Sequence, residues 1–236
     1  MSDSTTLCLL PGLLCDATVW APQCAALRDS PGIYIPDFMG LDSFEAMARK
    51  VLDETRGALS VAGHSMGGRV AFEIWRLAPE RLVRLALLDT GFHGPHPGEA
   101  PRRMALVKIA YEDGMDAVAD LWLPPMVHPA RLNDQALMAP LRAMVRRATP
   151  QAFEGQQRAG LNRPDATSYL PRIACPTLVV CGRQDGWSPV SQHEVMARSI
   201  PGAALRLIEH CGHMATVERP DAVTDALQAW VGGDAA

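Results

Sequence analysis

The sequence predicts an α/β fold, a mostly parallel central sheet flanked by helices and interrupted by a helical insertion. Three observations point there. Short apolar runs alternate with helix-like stretches along most of the chain, as in a parallel sheet wrapped by helices. Residues 91–166 break that alternation: they hold no strand-like run, and nine of the 19 prolines fall among them. With 236 residues, 48% hydrophobic and 20% charged, the chain can bury a full core without disulfide or metal staples.

The strand candidates are residues 6–10, 32–35, 59–62, 83–88, 177–181 and 205–208. The first stops at Pro11-Gly12, a turn signal. Between them, residues 43–55, 67–77, 189–199 and 220–231 carry helical patterns. Pro189 and Pro220 suit the first turn of a helix, where a missing N–H costs nothing. Asp221 opposes the positive end of the last helix dipole. Residues 102–111, 115–121, 134–147 and 149–158 are helical patches inside the insertion. The expected organisation is a core of residues 1–90 and 167–236 with a helical cap insertion at 91–166, not an independent domain. Met104, Met115, Met126, Met138 and Met144 lie in the insertion, either as core or as the lining of a flexible apolar pocket.

Composition excludes several function classes. The net charge of −4 gives no electrostatic reason to expect nucleic acid. No apolar run approaches the ~18 residues of a membrane span. The start, MSDSTT, lacks the basic and apolar segments of an export signal, so a cytoplasmic location is expected. The six cysteines show neither C-x-x-C spacing nor a histidine at zinc-finger distance. Cys8, Cys175 and Cys181 read as small buried hydrophobes, and neither metal nor cofactor is expected.

The most informative segment is Gly63-His-Ser-Met-Gly67, a G-x-S-x-G motif between an apolar strand and a helix. A serine on so tight a turn is held in a strained conformation with its hydroxyl clear of the sheet. Glycines two residues to either side avoid collisions across the turn. A serine needs a base, and the base an orienting group. Asp185 follows the apolar run at 177–181, and His213 follows the one at 205–208. In chain order Ser65, Asp185 and His213 would all project from the carboxyl ends of strands, where open α/β sheets place ligand sites. His213 would take the proton of Ser65 and return it to the leaving group, while Asp185 fixes the imidazole tautomer. An imidazole, with an ordinary pKa of about 6.5, suits that role. His210 is the rival base; His64 adjoins Ser65, but the turn should direct it elsewhere.

With these pieces the chain resembles the α/β-hydrolase family, and in particular small bacterial serine carboxylesterases. The matching segments are Leu9-Leu-Pro-Gly-Leu13, Ile35-Pro-Asp37, Gly63-His-Ser-Met-Gly67, Gly182-Arg-Gln-Asp185 and Gly212-His213. The resemblance implies an α/β-hydrolase fold, Ser65 as nucleophile, Asp185 as acid and His213 as base. It also implies an oxyanion hole from the backbone N–H groups of Met66 and Leu13, with Leu14 as the one-residue alternative. Some members are esterases acting on methyl esters of acyl-carrier-protein conjugates. Two departures stand out. The first strand candidate starts almost at the amino terminus, without the preceding hairpin common in the family. The segment Phe38-Met-Gly-Leu-Asp-Ser-Phe44 is shorter than the usual loop there.

The nucleophile selects the chemistry. Relatives that open epoxides or displace halide attack with aspartate; serine with an oxyanion hole points to acyl transfer from a carbonyl. The expected function is cofactor-independent hydrolysis of a small-molecule ester or acyl substrate. The alternatives are a carbon–carbon bond hydrolase or lactonase of the same fold, or a receptor that keeps the three residues but only binds ligand. Trp20, Trp122, Met126 and Trp187 are candidate substrate-binding residues, with Leu123, Val127 and Met144 beside them; core packing is the competing reading of each. Arg142-Ala-Met-Val-Arg-Arg147 is a solvated helix face or, on the sharper reading, a site for an acidic acyl carrier.

Overall fold

The computed structural model describes residues 5–28 and 32–233. Residues 1–4 of the start read for an export signal lie outside them. Six parallel strands form one sheet in the order β2-β1-β3-β4-β5-β6. They are β1 (Thr6–Leu10), β2 (Ile33–Tyr34), β3 (Leu59–His64), β4 (Leu82–Leu88), β5 (Thr177–Gly182) and β6 (Ala204–Ile208). Around them run α1 (Ala21–Ala26), α2 (Phe44–Glu54), α3 (Met66–Leu77), α4 (Glu99–Glu112), α5 (Gly114–Trp122), α6 (Gln135–Arg147), α7 (Pro150–Leu161), α8 (Val190–Ser199), α9 (Ala215–Glu218) and α10 (Pro220–Gly232). This is the α/β-hydrolase architecture.

Side chains alternate across each strand, so the sheet buries two faces. Leu7 and Leu9 of β1 join Ala62, Leu88 and Val180 on one face, against Leu227 and Trp230 of α10. Cys8 and Leu10 join Val61, Leu87 and Val179 on the other, against Val51 of α2, Val70 and Ile74 of α3 and Met196 of α8. Buried on both faces, these strands read as unbroken apolar runs. Helices α4–α7 all fall between β4 and β5. Val118 of α5 and Leu141, Met144 and Val145 of α6 continue the first core cluster. Met115, Met138 and Met144 are core residues, whereas Met104 is exposed.

Local chemistry sets the helix starts. Ser43, Asp134 and Thr149 accept backbone N–H bonds at the heads of α2, α6 and α7. Pro220 occupies the first turn of α10, while Pro189 stands just outside α8 as its N-cap. Two short helices, α1 and α9, escape the sequence pattern because four to six residues are too few to show a period. Strand β3 runs two residues beyond its expected end: Gly63 and His64 pair with Leu87 and Leu88 of β4 despite the glycine. No described helix is long and apolar enough to cross a membrane.

Candidate active site

Because every strand is parallel, the loops after β1, β3, β4, β5 and β6 gather at one edge of the sheet. Ser65 sits between β3 and α3 with φ 53° and ψ −112°, a conformation that costs a non-glycine residue energy. It is held there from both sides: its N–H donates to the Leu88 carbonyl at 2.9 Å, and its carbonyl accepts from Thr90 Oγ1 at 2.7 Å. A Cβ on Gly63 would lie 2.4 Å from the Gly67 carbonyl oxygen, and one on Gly67 2.2 Å from that of Leu10. The motif's glycines are therefore required by close backbone approach.

The structure brings Ser65, His213 and Asp185 together. Ser65 Oγ lies 2.8 Å from His213 Nε2, and His213 Nδ1 lies 2.8 Å from Asp185 Oδ2. With Nδ1 donating to the carboxylate, Nε2 is free to accept the serine proton. The other oxygen of Asp185 accepts from the N–H groups of Trp187 and Ser188, both at 2.8 Å. Burial alone would raise the Asp185 pKa; the charge and hydrogen bond of His213, with those two N–H groups, outweigh it and hold the carboxyl below its ordinary value. His210 does not line the site, and its carbonyl accepts from Arg219 instead.

Residues that carry no motif fix the loop of His213. Glu218 Oε1 accepts from the N–H groups of Gly212 and Met214, on either side of His213, and Oε2 from that of His128. The His213 N–H donates to the Met126 carbonyl at 2.8 Å, so the loop is also tied to the segment after α5. His64 turns away from Ser65, and its Nε2 donates to the His213 carbonyl at 2.8 Å. Burial, with the nearby charge of His213, pushes the His64 pKa down to about 4. Gln184 joins the two loops: its N–H donates to the Cys211 carbonyl and its Oε1 accepts the Cys211 N–H.

Asp89, at the end of β4, is a second buried acid beside the site. Its carboxylate accepts from the N–H groups of Gly182 and Ala215. Burial and the charge of Asp185 raise its pKa well above the ordinary carboxylate value. Asp89, Cys181 and Asp185 bring three potential metal-ligand atoms within 4.8 Å of one another. Both carboxylates there are already engaged by backbone N–H groups and His213, and burial pushes the Cys181 thiol pKa up. The grouping fits a hydrogen-bonded core better than a cation.

Leu13 and Met66 line the same cavity as Ser65. Met66 heads α3, so its N–H has no acceptor within the helix. Leu14 has φ 59°, and its N–H is taken by Gln156 Oε1 of α7 at 2.8 Å. The N–H of Leu13 has no hydrogen-bond partner among the described residues.

Ser65, His213, Leu13 and Met66 open onto a cavity of about 500 Å³. Of the four side chains singled out from sequence for substrate, Trp122, Met126 and Trp187 line it. Trp20 is a correction: it is fully buried in the core and does not line the cavity. Apolar size marked it, but its position before α1 turns the ring inward. Leu123, Val127 and Met144 are likewise core. The arginines of α6 are engaged by acids: Arg142 with Asp120, Arg146 with Asp116 and Arg147 with Asp16. That favours the solvated-face reading.

Comparison with known proteins agrees with this architecture. The family model described as "Alpha/beta hydrolase family" matches residues 9–226. A Stutzerimonas stutzeri protein named as a candidate carbamate hydrolase is 27% identical over 91% of this chain and 87% of its own. A pimeloyl-[acyl-carrier protein] methyl ester esterase of Nitrosomonas europaea is 28% identical over 85% of this chain and 82% of its own. The structure of a thermophilic esterase from Thermogutta terrifontis, with malate bound, superposes with a TM-score of 0.89. It is 29% identical, over 99% of this chain and 91% of that one.

Proposed function

The chain belongs to the alpha/beta hydrolase family, and from that membership we propose that it hydrolyses carboxylic esters through an acyl-enzyme on Ser65. The observation that carries the proposal is one imidazole, that of His213, set 2.8 Å from both the Ser65 hydroxyl and the Asp185 carboxylate.

In the proposed reaction Ser65 Oγ adds to the ester carbonyl carbon as His213 Nε2 takes its proton. Asp185 stabilises the resulting imidazolium and keeps the ring in place. Negative charge develops on the carbonyl oxygen, within reach of the N–H groups of Met66 and Leu13. Such donors are worth ~10²–10³ in rate each. Leu13 is preferred to Leu14 because the Leu14 N–H is committed to Gln156. Collapse breaks the ester C–O bond, and the alcohol leaves with the proton from Nε2. Water then gives a proton to Nε2 while its oxygen adds to the acyl carbon. The second collapse releases the acid and returns the proton to Ser65.

Trp122, Met126 and Trp187 supply the apolar wall for substrate, and residues 91–166 act as a cap on the core formed by 1–90 and 167–236. One relative's name gives an acyl-carrier-protein methyl ester as its substrate. Because Arg142, Arg146 and Arg147 are already paired, a small-molecule ester suits this chain better than a carrier docked on α6.

The test is a chain-length panel of activated esters, with a lactone and a vinylogous diketone included. Hydrolysis of short or medium esters by the wild type, with a loss of at least about 10³-fold in Ser65→Ala, is expected. Equal rates in both proteins would remove Ser65 from the mechanism. Activity on the lactone or diketone far above that on every ester would change the bond that is cleaved.

A further inference from the structure

The cavity that holds Ser65 and His213 is also lined by Arg69, Arg102, Arg103 and Arg163, and Glu99 is the one carboxylate among its described lining residues. Four guanidinium groups thus face one acid in a chain whose net charge is −4. Arg103 and Arg163 share Glu99: Arg103 Nε lies 2.7 Å from Oε1, and Arg163 grips both oxygens at 2.9 and 2.8 Å. Although burial opposes it, those contacts hold the Glu99 pKa down to about 2, so the acid is ionised and fully used.

Arg69 and Arg102 have no such partner. Arg69 lies one helical turn beyond Ser65 on α3, with Nη1 donating to the His93 carbonyl at 2.8 Å. Neither arginine makes an ion pair among the described residues. Burial, and the charge of Arg163, push the Arg69 pKa down to about 9 against the opposing pull of Glu99 and Asp165, leaving it a crowded cation at neutral pH. Arg102 stands 5.8 Å over the ring of Trp187 at the same cavity. A desolvated cation is costly without a counter-charge, and a guanidinium fork matches a carboxylate with two parallel hydrogen bonds.

We infer that the substrate is an ester that also bears a free carboxylate, seated against Arg69 and Arg102 while its ester carbonyl meets Ser65. This rests on the serine-esterase reading above. The half-ester of a dicarboxylic acid is the simplest molecule of the class, and a cavity of about 500 Å³ has room for one. A neutral ester of equal length would bring neither guanidinium a carboxylate.

The test compares p-nitrophenyl half-esters of C4 to C8 dicarboxylic acids with the same compounds capped as methyl esters. The wild type should favour the free carboxylate by roughly 10–10² in kcat/KM, the range of a charge-assisted hydrogen-bonded pair. Added salt should shrink that preference. Arg69→Gln should bring the ratio toward one, and Arg69→Lys should restore part of it. The ratio is read within one preparation, so loss of folded protein cancels. If Arg69→Gln does not fold, Arg102→Gln and the salt series read the same preference. Binding of monomethyl adipate, against dimethyl adipate, to Ser65→Ala supplies a readout that needs no turnover. Tighter binding of the anion supports the inference; equal binding overturns it, as would a wild-type ratio near one. Hydrolysis of capped esters without any preference would sink this inference and leave the esterase reading standing. Preferential binding of the anion with no hydrolysis of any ester would overturn the esterase reading, and with it the ester half of this inference, leaving Arg69 and Arg102 as an anion site only.

Discussion

Gln156 Oε1 accepts the backbone N–H of Leu14 at 2.8 Å, joining α7 to the turn after β1 across 142 residues of sequence. Leu14 stands at φ 59°, and the neighbouring residue Leu13 lines the cavity. Gln156 is fully buried, so its removal leaves the Leu14 N–H without an acceptor. If Leu13 is the oxyanion donor proposed above, Gln156→Leu should lower kcat by roughly 10–10² with little change in KM, because the turn that aims its N–H loses support. Steady-state kinetics beside a melting curve checks this. An unchanged kcat in a folded variant would show that Leu13 needs no such support.

Gly67 tests the sterics of the turn that carries Ser65. A Cβ there would sit 2.2 Å from the Leu10 carbonyl, a contact relieved only by moving β1 or α3. Gly67→Ala should therefore cost about 3 kcal/mol or more by urea unfolding. A variant as stable as the wild type would mean that the two segments can separate cheaply.

Trp20 and Trp187 should behave oppositely. Trp20 is 0% exposed in the core, so Trp20→Ala should cost about 3–5 kcal/mol. Trp187 is 40% exposed at the cavity, so Trp187→Ala should leave the melting temperature nearly unchanged and raise KM. Paired melting curves and kinetics separate the two; a KM effect confined to the Trp20 variant would contradict the placement.

Acid should destabilise the fold through its buried histidines. His193 Nε2 accepts the Thr90 N–H, and its Nδ1 donates to the Pro189 carbonyl. Burial pushes the His193 pKa down to about 4, and His64 is shifted alike. The unfolded chain takes up these protons below pH about 6.5 while the folded chain refuses them until about 4. Stability is therefore retained above 6.5 and lost as pH falls toward 4, by ~3 kcal/mol for each histidine at the lower limit. Asp89 and Glu218, whose pKa values are raised by burial, act in the opposite direction, so the comparison must be made against a variant. His193→Gln should flatten the fall in melting temperature between pH 6.5 and 4.5. An unaltered slope would show that His193 does not resist protonation.

What the sequence disclosed follows from what is local. The strands before Ser65 and Asp185 are apolar because both sheet faces are covered there, the half-buried edge strand before His213 is less so, and the glycines around Ser65 mark the turn by their necessity. Glu218, Gln156 and Gln184 left no trace, since each acts on backbone groups brought near only by folding. Trp20 was misread for a related reason: an apolar side chain beside a site-forming loop can face core or cavity, and composition does not tell which. The excess of arginine at the cavity was equally hidden, because Arg69 and Arg163 lie 94 residues apart in the chain.

The central claim, that Ser65 is the nucleophile activated by His213, is tested most directly by covalent capture. The protein should react with a p-nitrophenyl phosphonate to give one adduct, mapped by mass spectrometry to Ser65. Labelling should be absent in Ser65→Ala and strongly slowed in His213→Ala. An adduct on any other residue, or capture that persists in Ser65→Ala, would contradict the account.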